Sequence, residues 1–298
     1  MIQTRILQAN GVDFHCLVAG EGPLVLCLHG FPDHAESFRP LMIRLANAGY
    51  RVVAPNMRGY WPTSAAPDGC YQAWATGDDA LALIRILCEG KAVLVGHDWG
   101  AVAAYAAART EPELISHLVT LSVPDAPQVG RALLLDPDQQ RLSWYMFYFQ
   151  LELAEGALSL DNFALIDRLW SDWSPGLARD PHAVAALKSM LRQPGVAFAV
   201  LEYYRQAFAR PGRPAAWEER MRLLDGPICV PTLYLHGRDD GCMRAGLDSG
   251  MAGSFPAGLQ TALIEGAGHF LQLERPDDIA RRIASFISNE PTTREKRT

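Results

Sequence analysis

The sequence predicts an α/β protein, a mostly parallel sheet covered by helices on both faces and interrupted once by a long helical insertion. Three observations carry this reading. Runs of strand length and largely apolar character recur at 23–28, 51–55, 92–95, 117–123, 231–236 and 261–264, the pattern of strands buried on both faces. Segments with helical spacing, 35–48, 71–87 and 101–108, fall between them, and strands that alternate with helices build a parallel sheet. From about Gln128 to Leu224 the short strands vanish and aromatic-rich helical sequence such as SWYMFYFQ and AVLEYYRQAF replaces them. A helical block inserted where strands end forms a lid over a site.

The expected organisation is therefore a core of residues 1–127 and 225–298 and a cap of residues 128–224. Asn10-Gly11 between alternating segments predicts an opening β-hairpin. A closing helix is expected over 277–287, and the polar tail 289–298 is expected to be unstructured. With 298 residues, 49% of them hydrophobic, the chain can bury a substantial core. Its formal net charge of −6, with no basic run in the body of the chain, argues against nucleic acid as a partner. The six cysteines show neither C-x-x-C pairs nor metal-ligand spacing with His, so they read as reduced and mostly buried. No signal-peptide pattern and no membrane-length apolar stretch is visible, and the expected location is cytoplasmic with no membrane partner.

The chemistry centres on Gly96-His97-Asp98-Trp99-Gly100 after the run 92–95. A buried strand that breaks into Gly-x-Asp-x-Gly and then a small-residue helix matches the sharp elbow that presents a nucleophile. Alone, the motif also reads as an Asp N-cap. At the apex a carboxylate differs from a serine in its chemistry. Attack on an alkyl carbon leaves an ester that water can cleave, where serine would leave an inert ether.

Further along the chain, His29-Gly30-Phe31-Pro32-Asp33 closes the first buried strand. Its tight turn leaves the Phe31 amide as a candidate oxyanion donor. Asp240 follows the first strand after the insertion and His269 follows the next, so nucleophile, acid and histidine occur in the order of the Ser/Asp…acid…His hydrolases. Asp125, after the strand preceding the insertion, is the alternative acid. No serine has glycine both two before and two after it. Arg58 reads as a loop brace, His97 and His29 as structural histidines, and Trp144, Trp170 and Trp173 as packing. His236, at a strand end, has no spacing that pairs it with Asp98.

These motifs, HGFPD, MRGY, GHDWG, GRDD and GAGHFLQLERPDD, closely resemble those of the α/β-hydrolase family and, within it, the epoxide hydrolases. The resemblance spans nearly the whole chain outside the tail. It implies Asp98 as nucleophile, His269 as base, Asp240 as its acid, and the amides of Phe31 and Trp99 as oxyanion hole. It also implies two ring-opening tyrosines, Tyr145 in WYMFYFQ and Tyr204 in LEYYR, with Tyr148 and Tyr203 as the neighbours that could be confused with them. The chain departs from the pattern at Asn56 and Trp61, the latter in place of a glycine, which implies an altered pocket rim.

The implied reaction is cofactor-free and metal-free hydrolysis of an epoxide, with a small apolar molecule as substrate and a homodimer possible. Asp98, Phe31, Trp99, Tyr145 and Tyr204 would contact that substrate. Two alternatives stay open: a haloalkane or haloacid dehalogenase on the same triad, and a ligand-binding homologue without catalysis. Phe31 lacks the side-chain donor that a halide would favour, and a pair of phenols suits an alkoxide.

Overall fold

The structure is a computed structural model and describes residues 1–208 and 214–288. The tail 289–298, expected to be unstructured, lies outside the described residues. One eight-stranded sheet contains β1 (Gln3–Ala9), β2 (Val12–Ala19), β3 (Leu24–Leu28), β4 (Arg51–Pro55), β5 (Ala92–His97), β6 (Ile115–Leu121), β7 (Thr232–Gly237) and β8 (Leu259–Ile264). Its lateral order is β1-β2-β4-β3-β5-β6-β7-β8. The β1–β2 and β2–β4 pairs are antiparallel and all the others parallel. Asn10 and Gly11 turn the β1–β2 hairpin at φ 51° and 74°, the positive angles that a two-residue hairpin turn demands.

Successive residues of the central strands serve opposite faces. Ala92 and Leu94 of β5 join a core with the insertion, whereas Val93 and Val95 join a second core on the other face. That second face is covered by α1 (Arg39–Asn47) and by a helix at the chain's described end. The first is covered by α2 (Ala73–Leu87) and α3 (Trp99–Thr110). Gly77 lets these two pack closely, since a Cβ there would meet the Ala106 Cβ at 2.9 Å.

Between β6 and β7 the chain forms α4 (Ala126–Leu135), α5 (Pro137–Leu142), α6 (Trp144–Tyr148), α7 (Ala154–Trp173), α8 (Pro181–Leu191), α9 (Val196–Ala207) and α10 (Ala215–Arg222). Helix α7 is interrupted at Leu160, and Asp161, Asn162 and Phe163 have φ of 46°, 56° and 60°. After β8 come the short α11 (Leu271–Glu274) and α12 (Pro276–Ser288).

Several expected boundaries shift for local reasons. The helix expected from residue 35 begins as a 3₁₀ turn, Ala35–Phe38, and α1 restarts beside Pro40, a residue suited to a first helical turn but not an interior. Helix α2 begins two residues later than expected, because Gln72 is extended at ψ 155° and stands at its N-cap, with the Tyr71 amide before it donating to Gln206 Oε1 at 2.8 Å. Strand β6 ends at Leu121 rather than Val123, broken by Ser122 at φ 69°. Among the described residues no helix is long and apolar enough to cross a membrane.

Candidate active site

Asp98 stands between β5 and α3 with φ 52° and ψ −119°, a backbone state that costs energy for a non-glycine residue and occurs where surroundings enforce it. The flanking glycines are required by space. A Cβ at Gly96 would meet the Gly100 carbonyl oxygen at 2.2 Å, and one at Gly100 would meet the Leu28 carbonyl oxygen at 2.0 Å. Asp98 occupies the N-cap position of α3, but its side chain caps nothing. Instead Oδ1 accepts the Phe31 amide at 2.7 Å, and the residue lines a cavity under the insertion.

The turn after β3 is held for that purpose. His29 donates from Nδ1 to the Gly30 carbonyl at 3.0 Å and accepts the Met57 amide on Nε2 at 2.9 Å. This locks the Phe31 turn to the MRGY loop. Gly30 leaves room for the carboxylate, because a Cβ there would meet Asp98 Oδ1 at 2.2 Å and the Trp99 amide nitrogen at 2.6 Å. The Trp99 amide thus borders the same oxygen, although only the Phe31 amide is hydrogen-bonded to it.

On the other carboxylate oxygen, His269 Nε2 lies 3.6 Å from Asp98 Oδ2. His269 Nδ1 donates to Asp240 Oδ2 at 2.9 Å, and Asp240 Oδ1 accepts the amides of Cys242 and Met243 at 2.7 and 2.9 Å. All three side chains are buried. Burial works to lift Asp240, but the His269 imidazole leads the attractions that hold it below the ordinary carboxylate value. Burial pulls His269 down and is outweighed, first by Asp240 and also by Asp98, so its affinity for a proton is well above an ordinary histidine's.

Asp125 does not reach His269. It is buried at the start of α4 near Ser254 and Arg109, and burial raises its pKa. His236 is structural: it donates from Nε2 to the Met243 carbonyl at 2.9 Å and accepts from the Tyr234 hydroxyl at 2.5 Å. His97 Nε2 and Ser122 Oγ both donate to the His269 carbonyl, at 2.9 and 2.5 Å. They fix the backbone of the loop that carries the imidazole.

The two phenols hang over Asp98 from the insertion. Tyr145 and Tyr204 line the same cavity as Asp98, with ring centroids 5.6 Å apart. Burial raises both phenols well above the usual value and the Asp98 charge adds to the effect, so both are proton donors. The Tyr204 hydroxyl is buried, with the Trp99 indole N–H as its nearest polar neighbour and no well-formed hydrogen bond. Its neighbour Tyr203 donates to the Arg58 carbonyl at 2.9 Å. The Tyr148 ring packs at a tilt against those of Trp144 and Phe149. Arg58 itself braces its loop, with Nε and Nη2 each 2.6 Å from the buried Asp79 carboxylate.

The cavity, about 330 Å³, is predominantly apolar and lies between α3 and the helices α4, α6 and α9. Trp61 is not on its rim. It is half exposed and borders a separate groove with Asn56, so the altered rim implied by Trp61 is not seen. Asn56 Oδ1 accepts the Ala35 amide at 2.9 Å. Trp144 is also more exposed than packing implied, at 42%. Trp170 donates to the Pro32 carbonyl at 3.1 Å and stacks on Phe270, and the Trp173 ring sits 5.2 Å from that of His269.

Sequence reasoning passed over three features. Cys242 Sγ lies 3.3 Å from the Tyr145 hydroxyl. Asp33 is buried near Asp98 and His269, and burial pushes it up to about 7. The Trp173 carbonyl accepts two amides, Gly241 at 3.2 Å and His269 at 2.9 Å, which ties the end of α7 to both triad loops. Among the described residues, the side chains close enough to share an ion are Asp240, Cys242 and His269, whose donor atoms lie within 4.8 Å. Two of these already bond each other, so the cluster is part of the triad.

Sheet order, elbow and triad together define an α/β hydrolase, and the family model described as alpha/beta hydrolase fold matches residues 23–276. The chain belongs to that family. An AB hydrolase superfamily protein of Bacillus subtilis is 29% identical over 97% of this chain and 99% of its own. Epoxide hydrolase 3 of Xenopus tropicalis is 31% identical over 95% of this chain and 77% of its own. The solved epoxide hydrolase of Vigna radiata superposes with a TM-score of 0.79 at 29% identity, covering 96% of this chain and 97% of that one. Within the family the chain thus falls in the epoxide hydrolase-like branch.

Proposed function

We propose that the protein hydrolyses an epoxide to a vicinal diol through a covalent ester on Asp98. One observation carries the reading: a carboxylate at the elbow has one oxygen on the Phe31 amide and the other facing His269, in an apolar cavity that the Tyr145 and Tyr204 phenols also line. Relatives named epoxide hydrolases support it.

In the first step Asp98 Oδ2 attacks one ring carbon, and the carbon–oxygen bond to that carbon breaks. Tyr145 and Tyr204 hydrogen-bond the departing oxygen and supply its proton, which the phenolate regains from the resting His269 imidazolium. The product is a hydroxyalkyl ester whose carbonyl oxygen is Oδ1, already on the Phe31 amide. Forming the ester removes the Asp98 charge, one of the attractions that raise His269. The imidazole thereby becomes a base when a base is needed. His269 then takes a proton from water, which attacks the ester carbon. The Phe31 and Trp99 amides face the developing oxyanion and Asp240 steadies the imidazolium, which returns its proton to the leaving oxygen of the diol; the carboxylate reforms as its own proton passes back to the imidazole. The helical insertion acts as the lid that keeps this chemistry away from bulk water.

A dehalogenase is the second reading, and one observation favours it: the buried Trp99 indole N–H is turned toward the Tyr204 hydroxyl at the cavity, where a halide could take the place of that weak acceptor. A single experiment tests both. His269→Gln incubated with styrene oxide is expected to gain the mass of the whole epoxide, localised to Asp98. Label on another residue overturns the covalent mechanism, and halide release by the wild-type chain from haloalkanes or haloacetates, without diol formation, selects the dehalogenase.

A further inference from the structure

Cys242 stands where the two halves of the site meet. Its amide donates to Asp240 Oδ1 at 2.7 Å, and its carbonyl accepts from Gln139 Nε2 at 2.9 Å, so the backbone is held on both sides of the side chain. Gln139 is fully buried and also donates to the Ser143 hydroxyl at 2.9 Å, just before Tyr145. One amide side chain therefore fixes the loop of the triad acid against the segment of the insertion that carries the phenol. The Cys242 sulfur between them is buried, 3.3 Å from the Tyr145 hydroxyl, and within 4.8 Å of the donor atoms of Asp240 and His269.

The direction of the bond between Cys242 and Tyr145 follows from what else each group can reach. The resting His269 holds its proton tightly, so as an imidazolium it offers the thiol no lone pair. Asp240 Oδ1 already accepts two amides and Oδ2 accepts His269. The Tyr145 oxygen has lone pairs to accept the thiol hydrogen. Tyr145 itself lines the cavity, where the oxygen of water or of a substrate accepts a phenol hydrogen far better than sulfur does. Burial raises the Cys242 thiol, which stays neutral and keeps the hydrogen it donates. A thiolate at the same place would instead hold back the phenol's proton.

Resting on the proposed hydrolysis, we infer that Cys242 is a positioning residue for Tyr145: its S–H donates to the phenol oxygen, turns the phenol's own hydrogen to the ring oxygen, and steadies the phenolate left when that hydrogen departs. Hydrogen bonds linked in a chain strengthen one another, so Tyr145 is a stronger acid with the thiol behind it than without. The thiol keeps its own proton throughout and touches no reacting atom. Its side chain serves ring opening alone, although its backbone amide holds the acid of the second step.

The test follows ester formation and ester decay separately, in single turnovers of styrene oxide, for Cys242→Ala, Cys242→Val and Cys242→Ser, each alone and combined with Tyr145→Phe. Alanine underfills the site and valine overfills it, so an effect the two share belongs to the lost hydrogen and not to packing. Both are expected to slow ester formation by about three- to tenfold, the worth of one neutral hydrogen bond, with ester decay unchanged. Cys242→Ser is expected to recover most of the rate. Combined with Tyr145→Phe, all three are expected to change nothing further. Equal slowing with and without the Tyr145 hydroxyl, slowed decay in place of slowed formation, or full rate in either apolar variant overturns the inference. The infrared S–H band of Cys242, identified by its loss in Cys242→Ser, is expected at lower frequency in the wild type than in Tyr145→Phe, and an unshifted band also overturns it. Should no epoxide be hydrolysed, the proposed function fails while that band still decides the role of the thiol. Should neither apolar variant fold, the band decides it as well.

Discussion

The Phe31 amide donates to Oδ1 of Asp98 at 2.7 Å, and the two residues keep this relationship through every state of the proposed cycle. In the resting site the amide orients the nucleophile by occupying one oxygen and leaving the other free. In the ester the same oxygen is the carbonyl, and during hydrolysis it carries the charge.

Gly30→Ala is expected to break this relationship. The added methyl would meet Asp98 Oδ1 at 2.2 Å and Cβ at 2.5 Å, so the carboxylate must rotate off the Phe31 amide. Misplacement of a reacting group by about 1 Å costs about a hundredfold in rate. Comparison of kcat for epoxide turnover in the variant and wild type, with folding verified by circular dichroism, checks it. Retention of near-wild-type kcat would show that the oxygen needs no such seat.

The adjacent phenols should separate cleanly. Tyr204→Phe and Tyr145→Phe each remove a donor to the ring oxygen and are expected to slow single-turnover ester formation by about 10²–10³-fold. Tyr203→Phe deletes the bond to the Arg58 carbonyl and is expected to lower unfolding free energy by about 1–3 kcal/mol. Rapid quench with mass detection reads the first effect, and urea unfolding reads the second.

The two candidate acids differ in the same way. Asp240→Asn keeps one accepting oxygen, which the Cys242 and Met243 amides hold, and so turns an amide N–H on His269 Nδ1 in place of the carboxylate oxygen; the imidazole loses its orientation and part of its basicity. The second step is expected to slow by about 10²–10⁴-fold, the usual weight of base catalysis, and the Asp98 adduct should accumulate during turnover. Asp125→Asn is not expected to accumulate adduct. An adduct in the Asp125 variant alone would transfer the acid role.

Acid should destabilise the fold before it protonates the surface. Burial lowers His29 to about 3 and His97 to about 4, against about 6.5 in the unfolded chain. Between these values the unfolded state binds more protons, so stability falls as pH falls below about 6.5. At two pH units below that value each histidine contributes a loss of about 2–3 kcal/mol. Asp33, raised to about 7, has the opposite slope between about 4 and 7 and offsets one of the two. Urea midpoints at pH 6.5 and 4.5 check the net loss, and His97→Gln should reduce the difference.

How much of this was legible in the sequence follows from the range of each interaction. The strands and the elbow were readable because local apolar runs and glycine spacing dictate them, and the meeting of Asp240 with His269 follows from adjacent strand ends in a parallel sheet. Spacing alone did not tell which of Tyr203 and Tyr204 keeps its hydroxyl for the site, since both line the cavity and only Tyr203 is tied to the Arg58 carbonyl; the family resemblance named Tyr204. Neighbours on a helix point about 100° apart, and only the docking of α9 on the Arg58 loop selects between them. Cys242 against Tyr145 joins positions 97 apart in the chain, with no pattern at either site to announce it. Trp61 failed as a rim residue because a substitution in a loop shows size but not direction.

The Trp173 carbonyl, which accepts the amides of Gly241 and His269, limits how the roof can move. A roof riveted to the two loops beneath it cannot swing back on a hinge without dislodging the imidazole. Any shift of that helix end would therefore be felt at the imidazole.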